Sequence, residues 1–452
     1  MTKRIFIAIW CAVFVVVGLW ANPAPAQKVS LIRDAEIENT IRVFSTPLWQ
    51  AAGLAPDSVR IVLVNDDSLN AFVAAGQNLF INTGLLMRSE SATQVIGVIA
   101  HETGHIAGGH LSRIGDAIDN VGYSSLLGLL LGGGAAILTG RGDVGAAVMQ
   151  GTQQAGVRNF LAFSRTQESA ADQAALRYLE STGQSANGLL QFFDILGEQE
   201  LLSPAQQDAY VRTHPLSRDR VEAVRAHVAK SRHSNASEDP RLGVMHARTK
   251  AKLIGFTRPL PQALRSYPET DTSLSGRYAR SIAYYRVANI SRALGLIDEL
   301  ILEHPNDPYF HELRGQMLFE NQRGIEAIPS YERAVALASN SPMLHAELAH
   351  AQIESGDPAL LDSAVSHLQF ALSREPREGS SWRFLATAYG RQNKMGESAR
   401  ALAEEALLQR RYSEAIGLAK RAQGILKKGS PDWLRAADII MIAEDAHKKQ
   451  QR

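Results

Sequence analysis

The sequence predicts an α+β domain with a small β-sheet, followed by an all-α solenoid of tetratricopeptide repeats. Three features of the 452 residues lead to this prediction. Short β-branched runs alternate with helical stretches in the first half, and one apolar helix there carries two histidines four residues apart. The second half repeats small and apolar residues with a period of about 34, the length of a tetratricopeptide unit.

The composition is ordinary for globular domains and points to no polyanionic partner. Apolar residues make up 45% of the chain, and 47 Lys and Arg balance 46 Asp and Glu. A balanced surface of this kind lacks the basic excess that nucleic-acid binding requires. We therefore expect no nucleic acid among the partners.

The first 26 residues have the pattern of a secretory signal peptide. A basic start at residues 2–4 precedes an apolar run at residues 5–20, and Ala24-Pro25-Ala26 offers a cleavage site after Ala26. An uncleaved membrane anchor is the alternative. Cys11 is the only cysteine and lies in the apolar run, so the mature chain would have no thiol. An exported chain without thiols fits an oxidising compartment, and we expect the bacterial periplasm.

Residues 27–240 are predicted to form the α+β domain. Residues 34–54 look helical with a break at Pro47, because proline removes a helix hydrogen bond. Strands are predicted at residues 59–64, 72–73 and 78–82, with Gly76 between the last two. A helix is predicted from about residue 92 to residue 108.

Residues 124–139 are very apolar but rich in glycine. Gly132, Gly133 and Gly134 each weaken a helix by about 1 kcal/mol relative to alanine. We expect a partly buried helix pair near a cleft, with contact to a membrane as the alternative. Residues 231–240 are polar and turn-rich, and they end the first domain. Residues 241–276 are predicted to be a helical linker.

Residues 277–452 are predicted to be the repeat domain. Small and apolar residues recur from one unit to the next at Ala293, Ile297, Leu300, Gly315, Ala327, Tyr331, Ala334, Ala364, Leu368, Ala371, Trp382, Leu385, Ala386, Tyr389, Ala415, Ala419 and Ala422. Gly356-Asp357-Pro358 accounts for a spacing of 37 between two units. Helix pairs that cannot bury their own apolar faces stack into a solenoid with a concave surface. A generic helical bundle is the alternative.

The most informative motif is His101-Glu102-Thr103-Gly104-His105. Positions i and i+4 lie on one face of a helix, so His101 and His105 can hold one metal ion. Glu102 would lie beside that ion, where it can take a proton from water. This pattern is typical of zinc metalloproteases.

Zinc needs a third protein ligand, and Glu168 is the candidate. It lies in a stretch predicted to be helical up to residue 179, with Asp172 on the same face. Asp172 can accept the free imidazole N–H of His101 or His105 and so fix the orientation of that ring. Two imidazoles and one carboxylate suit Zn²⁺, and we expect one ion per chain. His110 extends the motif, but we expect it to be a structural or supporting residue rather than a ligand.

These motifs together resemble the gluzincin peptidases related to HtpX and the CAAX prenyl proteases. The residues that carry the resemblance are His101, Glu102, His105, Glu168, Asp172, Asn70, Ala71, Phe72, His214 and Pro215. The signal peptide and the repeats are similar to those of the periplasmic, BepA-type branch of this family. The resemblance covers nearly the whole mature chain.

The resemblance implies further site residues. A strand within residues 70–82 would bind an extended substrate backbone by β-addition, with the predicted contacts Asn70, Ala71, Phe72, Asn78 and Phe80. His214 would reach the zinc, occupy the position of water and keep the enzyme latent. Judged by residue chemistry alone, His214 could equally be a surface histidine or a transition-state stabiliser. Arg220 matches an arginine near the active site of these enzymes and is predicted to be catalytic.

The resemblance also implies partners. These would be outer-membrane β-barrel proteins stalled during assembly, the lipopolysaccharide export pore, and the assembly machinery reached through the repeats. Peripheral membrane contact is a further expectation. Two alternatives stay open at this point: a chaperone or scaffold in which the solenoid acts and proteolysis is secondary, and an integral membrane protease.

Overall fold

The computed structural model describes residues 30–74, 76–110, 154–200, 208, 210 and 213–451. The predicted signal peptide and the glycine-rich residues 124–139 lie outside these ranges. Within the described ranges, no helix combines the length and the apolar character that crossing a bilayer requires.

A four-stranded mixed sheet lies near the start of the described chain, in the order β1-β2-β4-β3. Its strands are β1 (Leu31–Ile32), β2 (Arg60–Val64), β3 (Ala71–Ala74) and β4 (Asn78–Asn82). β4 pairs in parallel with β2 and antiparallel with β3, while β1 pairs antiparallel with β2. The two edge strands are therefore β1 and β3. All three predicted strands are present.

Helices from the first half of the chain pack around this sheet. They are α1 (Ala35–Ala51), α2 (Thr83–Arg88), α3 (Ala92–Ala107), α4 (Gln154–Ser181), α5 (Asn187–Glu200) and α6 (Arg218–Lys230). The predicted break at Pro47 is wrong, because α1 passes through it without interruption. Pro47 is on the exposed side of the helix, while Phe44, Leu48 and Trp49 are buried on the other side. Tertiary packing of that apolar face outweighs the lost hydrogen bond.

Helix α3 is the centre of the core of this half. Ser91 caps its first turn by accepting a hydrogen bond from the backbone N–H of Gln94. Every residue from Val95 to Ala100 is buried, and α3 contacts both α4 and α5. A Cβ atom on Gly97 would lie 2.8 Å from the backbone of Leu189, so glycine is what lets α5 pack this closely. The two histidines of the motif follow at the end of the same buried helix.

The second half is built from helix pairs, as predicted. Two helices precede them, α7 (Pro240–Thr257) and α8 (Leu260–Ser266). The pairs are α9 (Leu274–Arg286) with α10 (Ile290–Glu303), α11 (Pro308–Glu320) with α12 (Gly324–Leu337), α13 (Pro342–Glu354) with α14 (Leu361–Arg374), α15 (Gly379–Arg391) with α16 (Met395–Leu408), and α17 (Tyr412–Ile425) with α18 (Pro431–Gln451). The alanines predicted to recur, among them Ala293, Ala327 and Ala364, are fully buried between helices.

A buried charge cluster joins the two halves, and we call it the Lys252 cluster. The Lys252 ammonium on α7 lies 2.8 Å from Asp34, 3.4 Å from Glu36 and 3.3 Å from Glu312. Arg248, one turn earlier on α7, lies 2.7 Å from Glu36. Lys252 has no exposed surface. One ammonium therefore holds the start of α1 and repeat helix α11 together.

Replacing Lys252 with Met should destabilise the protein strongly. The substitution removes the cation but leaves three carboxylates facing it, and unpaired buried charges of this kind cost about 3–5 kcal/mol. We expect a lower midpoint of urea unfolding followed by far-UV circular dichroism. Lys420→Met is the matched control, since Lys420 is 62% exposed and its ion pair with Glu444 is long, at 4.0 Å. Its effect on the free energy of unfolding should stay within about 0.5 kcal/mol. Equal midpoints for the two variants would contradict a linking role for Lys252.

Candidate metal centre

Helix α3 presents the two motif histidines to one point. His101 and His105 are both buried, and their Nε2 atoms are 3.1 Å apart. Glu102, between them, is fully buried as well. The helix therefore does what the four-residue spacing predicts, and it does so inside the protein rather than at its surface.

Glu168 reaches the same point from α4. Its Oε2 atom lies 3.3 Å from His101 Nε2, and its Oε1 atom lies 3.3 Å from His105 Nε2. The approach of α4 depends on Gly104, because a Cβ atom there would lie 2.7 Å from the carbonyl oxygen of Ala171. Ala171 lies between Glu168 and Asp172 in sequence. Gly104 thus lets α4 come close enough for its carboxylates to meet the histidines of α3.

His214 is the fourth group at this point. It lies just before α6, is buried, and its Nδ1 atom is 3.4 Å from His101 Nε2 and 3.2 Å from Glu168 Oε2. Atoms of His101, His105, Glu168 and His214 that could each serve as a ligand all lie within 4.8 Å of one another. The chain thus brings together the three predicted ligands and the predicted regulatory histidine.

The spacing of these atoms fits a zinc ion. Zn–N distances of 2.0–2.1 Å in a tetrahedral site separate neighbouring ligand atoms by about 3.3 Å. The separations include 3.1 Å between the two α3 histidines and 3.4 Å between His101 and His214, and all lie within 4.8 Å. Two or three imidazoles with one carboxylate are also ligands that zinc accepts.

Each α3 histidine has a partner on its outer nitrogen. His101 Nδ1 lies 2.8 Å from Asp172 Oδ1, as predicted, and His105 Nδ1 lies 3.0 Å from His110 Nδ1. Such contacts hold an imidazole in the tautomer and orientation that leave Nε2 facing the metal. The helix ends at Ala107, so His110 reaches His105 from the turn that follows. It has the supporting position that we expected.

Arg220 lies behind the ligands and joins several of them. Its Nε donates to Asp172 Oδ2 at 2.6 Å, its Nη2 donates to Asp172 Oδ1 at 2.9 Å, and its Nη1 lies 3.0 Å from Glu168 Oε2. The same Nη1 donates to the Pro215 carbonyl at 2.8 Å, next to His214. Arg220 is buried on α6. These contacts orient both carboxylates and the segment that carries His214.

Burial and charge shape the ionisation of the site. Burial raises the pKa of Glu102, and it lowers the pKa of His105 to about 3. Burial alone would also lower the pKa of His101, but the hydrogen bonds that its ring donates to Asp172 and Glu168 outweigh burial and raise that pKa to about 10. Burial opposes ionisation of Glu168 too, yet the three surrounding histidines hold its pKa well below the usual range. Neither carboxylate oxygen of Glu102 has a hydrogen-bond partner among the described residues.

The predicted substrate strand divides between an edge and an interior position. Ala71 and Phe72 lie on edge strand β3, and Asn70 precedes them, buried, with neither side-chain amide atom hydrogen-bonded within the described ranges. Asn78 and Phe80 lie on β4, whose backbone already pairs with β2 and β3. Phe80 stacks on Phe72 with ring centroids 4.7 Å apart. An added strand could therefore pair with β3 but not with β4.

Tyr210 is a site residue that the sequence analysis missed. It is fully buried, its ring stacks on His214 with centroids 4.4 Å apart, and its backbone N–H donates to the carbonyl of Leu69 at 3.2 Å. The carbonyl of the next residue, Asn70, accepts from Asn82 on β4, so the Leu69 carbonyl points to the outer edge. An aromatic residue four positions before a candidate ligand was the available signal.

Comparison with known proteins agrees with this arrangement. Residues 32–228 match peptidase family M48. The chain carries a peptidase M48 domain. Residues 278–342 match the tetratricopeptide repeat, so this domain precedes a repeat region. The M48 match supports a metallopeptidase, and the four ligating groups described above belong to the matched range.

Relatives share both parts of the chain. The beta-barrel assembly-enhancing protease of Yersinia pestis is 23% identical over 415 residues, covering 90% of this chain and 83% of the relative. The protein of the same name from Escherichia coli K12 is 23% identical over 409 residues, covering 88% and 81%. Among solved structures, the TPR protein YrrB aligns with 39% of this chain and 91% of its own at 16% identity and a TM-score of 0.33. MamA aligns with 38% and 96% at 15% identity and a TM-score of 0.28.

Replacing Gly104 with Ala should destabilise the M48 domain. The new methyl group would meet the Ala171 backbone, which cannot move without displacing α4, and overpacking of this kind costs about 1–3 kcal/mol. Thermal unfolding by circular dichroism measures the effect. Gly295→Ala on the exposed side of α10 is the control, because a Cβ atom there meets nothing within 4 Å. This substitution should be neutral or stabilising. If the Gly104→Ala protein were as stable as the control, α3 and α4 would not be in tight contact.

Proposed function

We propose that the protein is a zinc-dependent endopeptidase of the bacterial periplasm that acts on misassembled or stalled outer-membrane β-barrel proteins. The observation that carries the proposal is the buried set of His101, His105, Glu168 and His214 at zinc-ligand spacing, with Glu102 beside it. The substrate class is supported by the name of the relatives, beta-barrel assembly-enhancing protease. The signal-peptide pattern supports export to the periplasm.

In the proposed mechanism His101, His105 and Glu168 would hold a zinc ion. When bound, zinc would supply the Lewis acidity that activates water and polarises a peptide carbonyl. Glu102 accepts the proton of the attacking water and passes it to the leaving amine nitrogen. Its burial and the lack of hydrogen bonds to its oxygens among the described residues suit that role. His214 Nε2 lies 3.6 Å from Glu102 Oε1. Asp172 and Arg220 act as positioning residues by holding His101 and Glu168 in place.

The substrate would bind in extended form along the outer edge of β3. Main-chain hydrogen bonds from Ala71, whose backbone groups face outward, would supply affinity with little dependence on sequence. Those of the neighbouring Phe72 face β4. Asn70, with an unpartnered buried amide, would bind the substrate backbone next to the scissile bond. Unfolded β-barrel segments fit such a site because they are themselves strand-forming.

We further propose that His214 keeps the enzyme latent by filling the fourth zinc position. Its Nδ1 atom lies 3.4 Å from His101 Nε2 and 3.2 Å from Glu168 Oε2. The same segment donates the Tyr210 N–H to the Leu69 carbonyl at the start of the β3 edge. The segment therefore blocks both the water position and one end of the substrate edge. Movement of Tyr210 and His214 would free both at once.

Glu102→Gln should abolish cleavage while keeping the metal. The amide has nearly the shape of the carboxylate but cannot accept the proton, so casein cleavage should fall by at least about 100-fold. Zinc per chain, measured by inductively coupled plasma mass spectrometry, should stay near one. Glu222→Gln on the exposed side of α6 is the control and should cleave like the wild type. Full activity of Glu102→Gln would rule out Glu102 as the base.

His214→Ala should increase casein cleavage. Removing the imidazole frees the fourth zinc position, and a tenfold rise would correspond to a latch closed in about nine of ten molecules. X-ray absorption at the zinc edge should show one histidine fewer around the ion. His311→Ala in the repeats, where the imidazole is exposed, is the control. Activity that is lost and never raised by any His214 variant would refute the latch.

The repeats support a second candidate function, a scaffold or chaperone for β-barrel assembly with proteolysis secondary. Five stacked helix pairs offer a large protein-binding surface that catalysis itself does not need. The Glu102→Gln variant separates the two functions in a strain that lacks the gene. Full restoration of outer-membrane integrity by this inactive variant would favour the scaffold, whereas no restoration would favour the peptidase.

A further inference from the structure

The first described residues cross from the sheet to the repeats. Strand β1 has only two residues, Leu31 and Ile32, which pair with Val64 and Leu63 of β2. One more bond, from the N–H of Asn65 to the carbonyl of Ser30, extends this pairing. Leu31 is 46% exposed. So short a strand covers the β2 edge with few hydrogen bonds and little apolar burial.

Arg33, which follows β1, inserts into a group of carboxylates supplied mainly by the repeats. Its Nη1 lies 2.8 Å from Glu378, its Nη2 lies 2.9 Å from both carboxylate oxygens of Glu375, and its Nε lies 2.7 Å from Glu38. Glu375 and Glu378 stand in the turn between α14 and α15. Three carboxylates thus contact one guanidinium.

The strength of attachment changes sharply after Arg33. From Asp34 onward the chain is fixed, because Asp34 caps α1 and contacts the buried ammonium of Lys252. Before that point the segment depends on the short β1 pairing and on Arg33, whose side chain is 34% exposed while Glu375 and Glu378 are 33% and 31% exposed. Partly exposed ion pairs each contribute modestly, although three of them share this guanidinium. Residues 30–33 are therefore held over the turn that carries Glu375 and Glu378 by Arg33 and by few main-chain hydrogen bonds.

We propose that Glu375, Glu378 and the edge of β2 that β1 covers form a docking site for an extended segment of a partner protein that carries an arginine. Residues 30–33 occupy this site until the partner arrives. The β2 edge offers main-chain groups that only another extended backbone can pair with. The two glutamates offer the planar, bidentate acceptors that arginine prefers. The partner is thus a polypeptide rather than a small cation.

The site is separate from the proposed active site. The sheet order β1-β2-β4-β3 puts β1 and β3 on opposite edges. A partner that replaces β1 would leave the β3 edge free, and it would contact the sheet and the repeats together. The proposal therefore does not depend on peptidase activity, and its test does not measure cleavage.

The test is fluorescence polarisation with a labelled peptide of the sequence from Lys28 to Asp34, titrated with the full chain. Wild-type protein should bind it weakly, because its own Arg33 competes. The Arg33→Ala protein should bind about tenfold more tightly, the effect expected for removing two exposed ion pairs of the occupant. Glu375→Gln with Glu378→Gln should weaken binding by about tenfold, as should the peptide carrying Arg33→Ala. Arg292→Ala, which removes a more exposed ion pair with Glu269, is the control.

The outcomes separate docking from a purely structural contact. Tighter binding by Arg33→Ala but not by Arg292→Ala would support the proposal. A lower melting temperature of Arg33→Ala without any gain in peptide binding would overturn it, because Arg33 would then be only an internal clasp. If Arg33→Ala does not fold, Arg33→Lys keeps the charge but loses the bidentate geometry. Wild-type peptide affinity in that variant would also overturn the proposal.

Discussion

The close approach of α3 and α4 at Gly104 is the contact on which the rest of the centre depends. Two histidines on one helix define a line rather than a site, and the carboxylate that completes the set must come from another element. The missing side chain at Gly104 removes the steric limit that would keep α4 away, since the Ala171 carbonyl occupies that space. Glu168 and Asp172, one turn apart on α4, then meet His101 from two sides. The buried position of α3 gives this geometry its rigidity.

Charge balance explains why so many ionisable groups can share this interior. Glu168 and Asp172 would repel each other and resist burial if they were alone, but Arg220 contacts both. The Nη1 group of Arg220 also donates to the Pro215 carbonyl. The segment that carries His214 is therefore bound to the same guanidinium as the two carboxylates. A movement of that segment would therefore shift Arg220, and with it the positions of Glu168 and Asp172. The ligand set and the covering segment form one electrostatic unit.

Local patterns predicted much of this molecule, and nonlocal contacts account for what they could not predict. Helix α3, the strands and the repeats are each specified by residues close in sequence, so their periodicity could be recognised directly. The contact between Asp172 and His101 followed from a general rule about metal-bound histidine. The break at Pro47 was wrong because burial of Trp49 and its neighbours decides the course of α1, and burial is a property of the folded chain. Three features could not be predicted: the interior position of β4, the contact of Tyr210 with His214, and the salt bridges of Arg33. Each depends on contacts between residues that are not predictable from their spacing in a single sequence.

The Lys252 cluster has a consequence for how such a chain can change over evolution. Proteins made of a catalytic part and a repeat part are often regarded as separable modules that recombination can exchange. Here the cation stands on α7, while its acidic partners come from both sides, Asp34 and Glu36 from the start of the first part and Glu312 from the repeats. A division at residue 239 would leave Asp34 and Glu36 in one fragment and the ammonium of Lys252 in the other. Exchange of the repeat part between relatives is therefore constrained to donors whose α7 and α11 match the charges at the start of the recipient's α1.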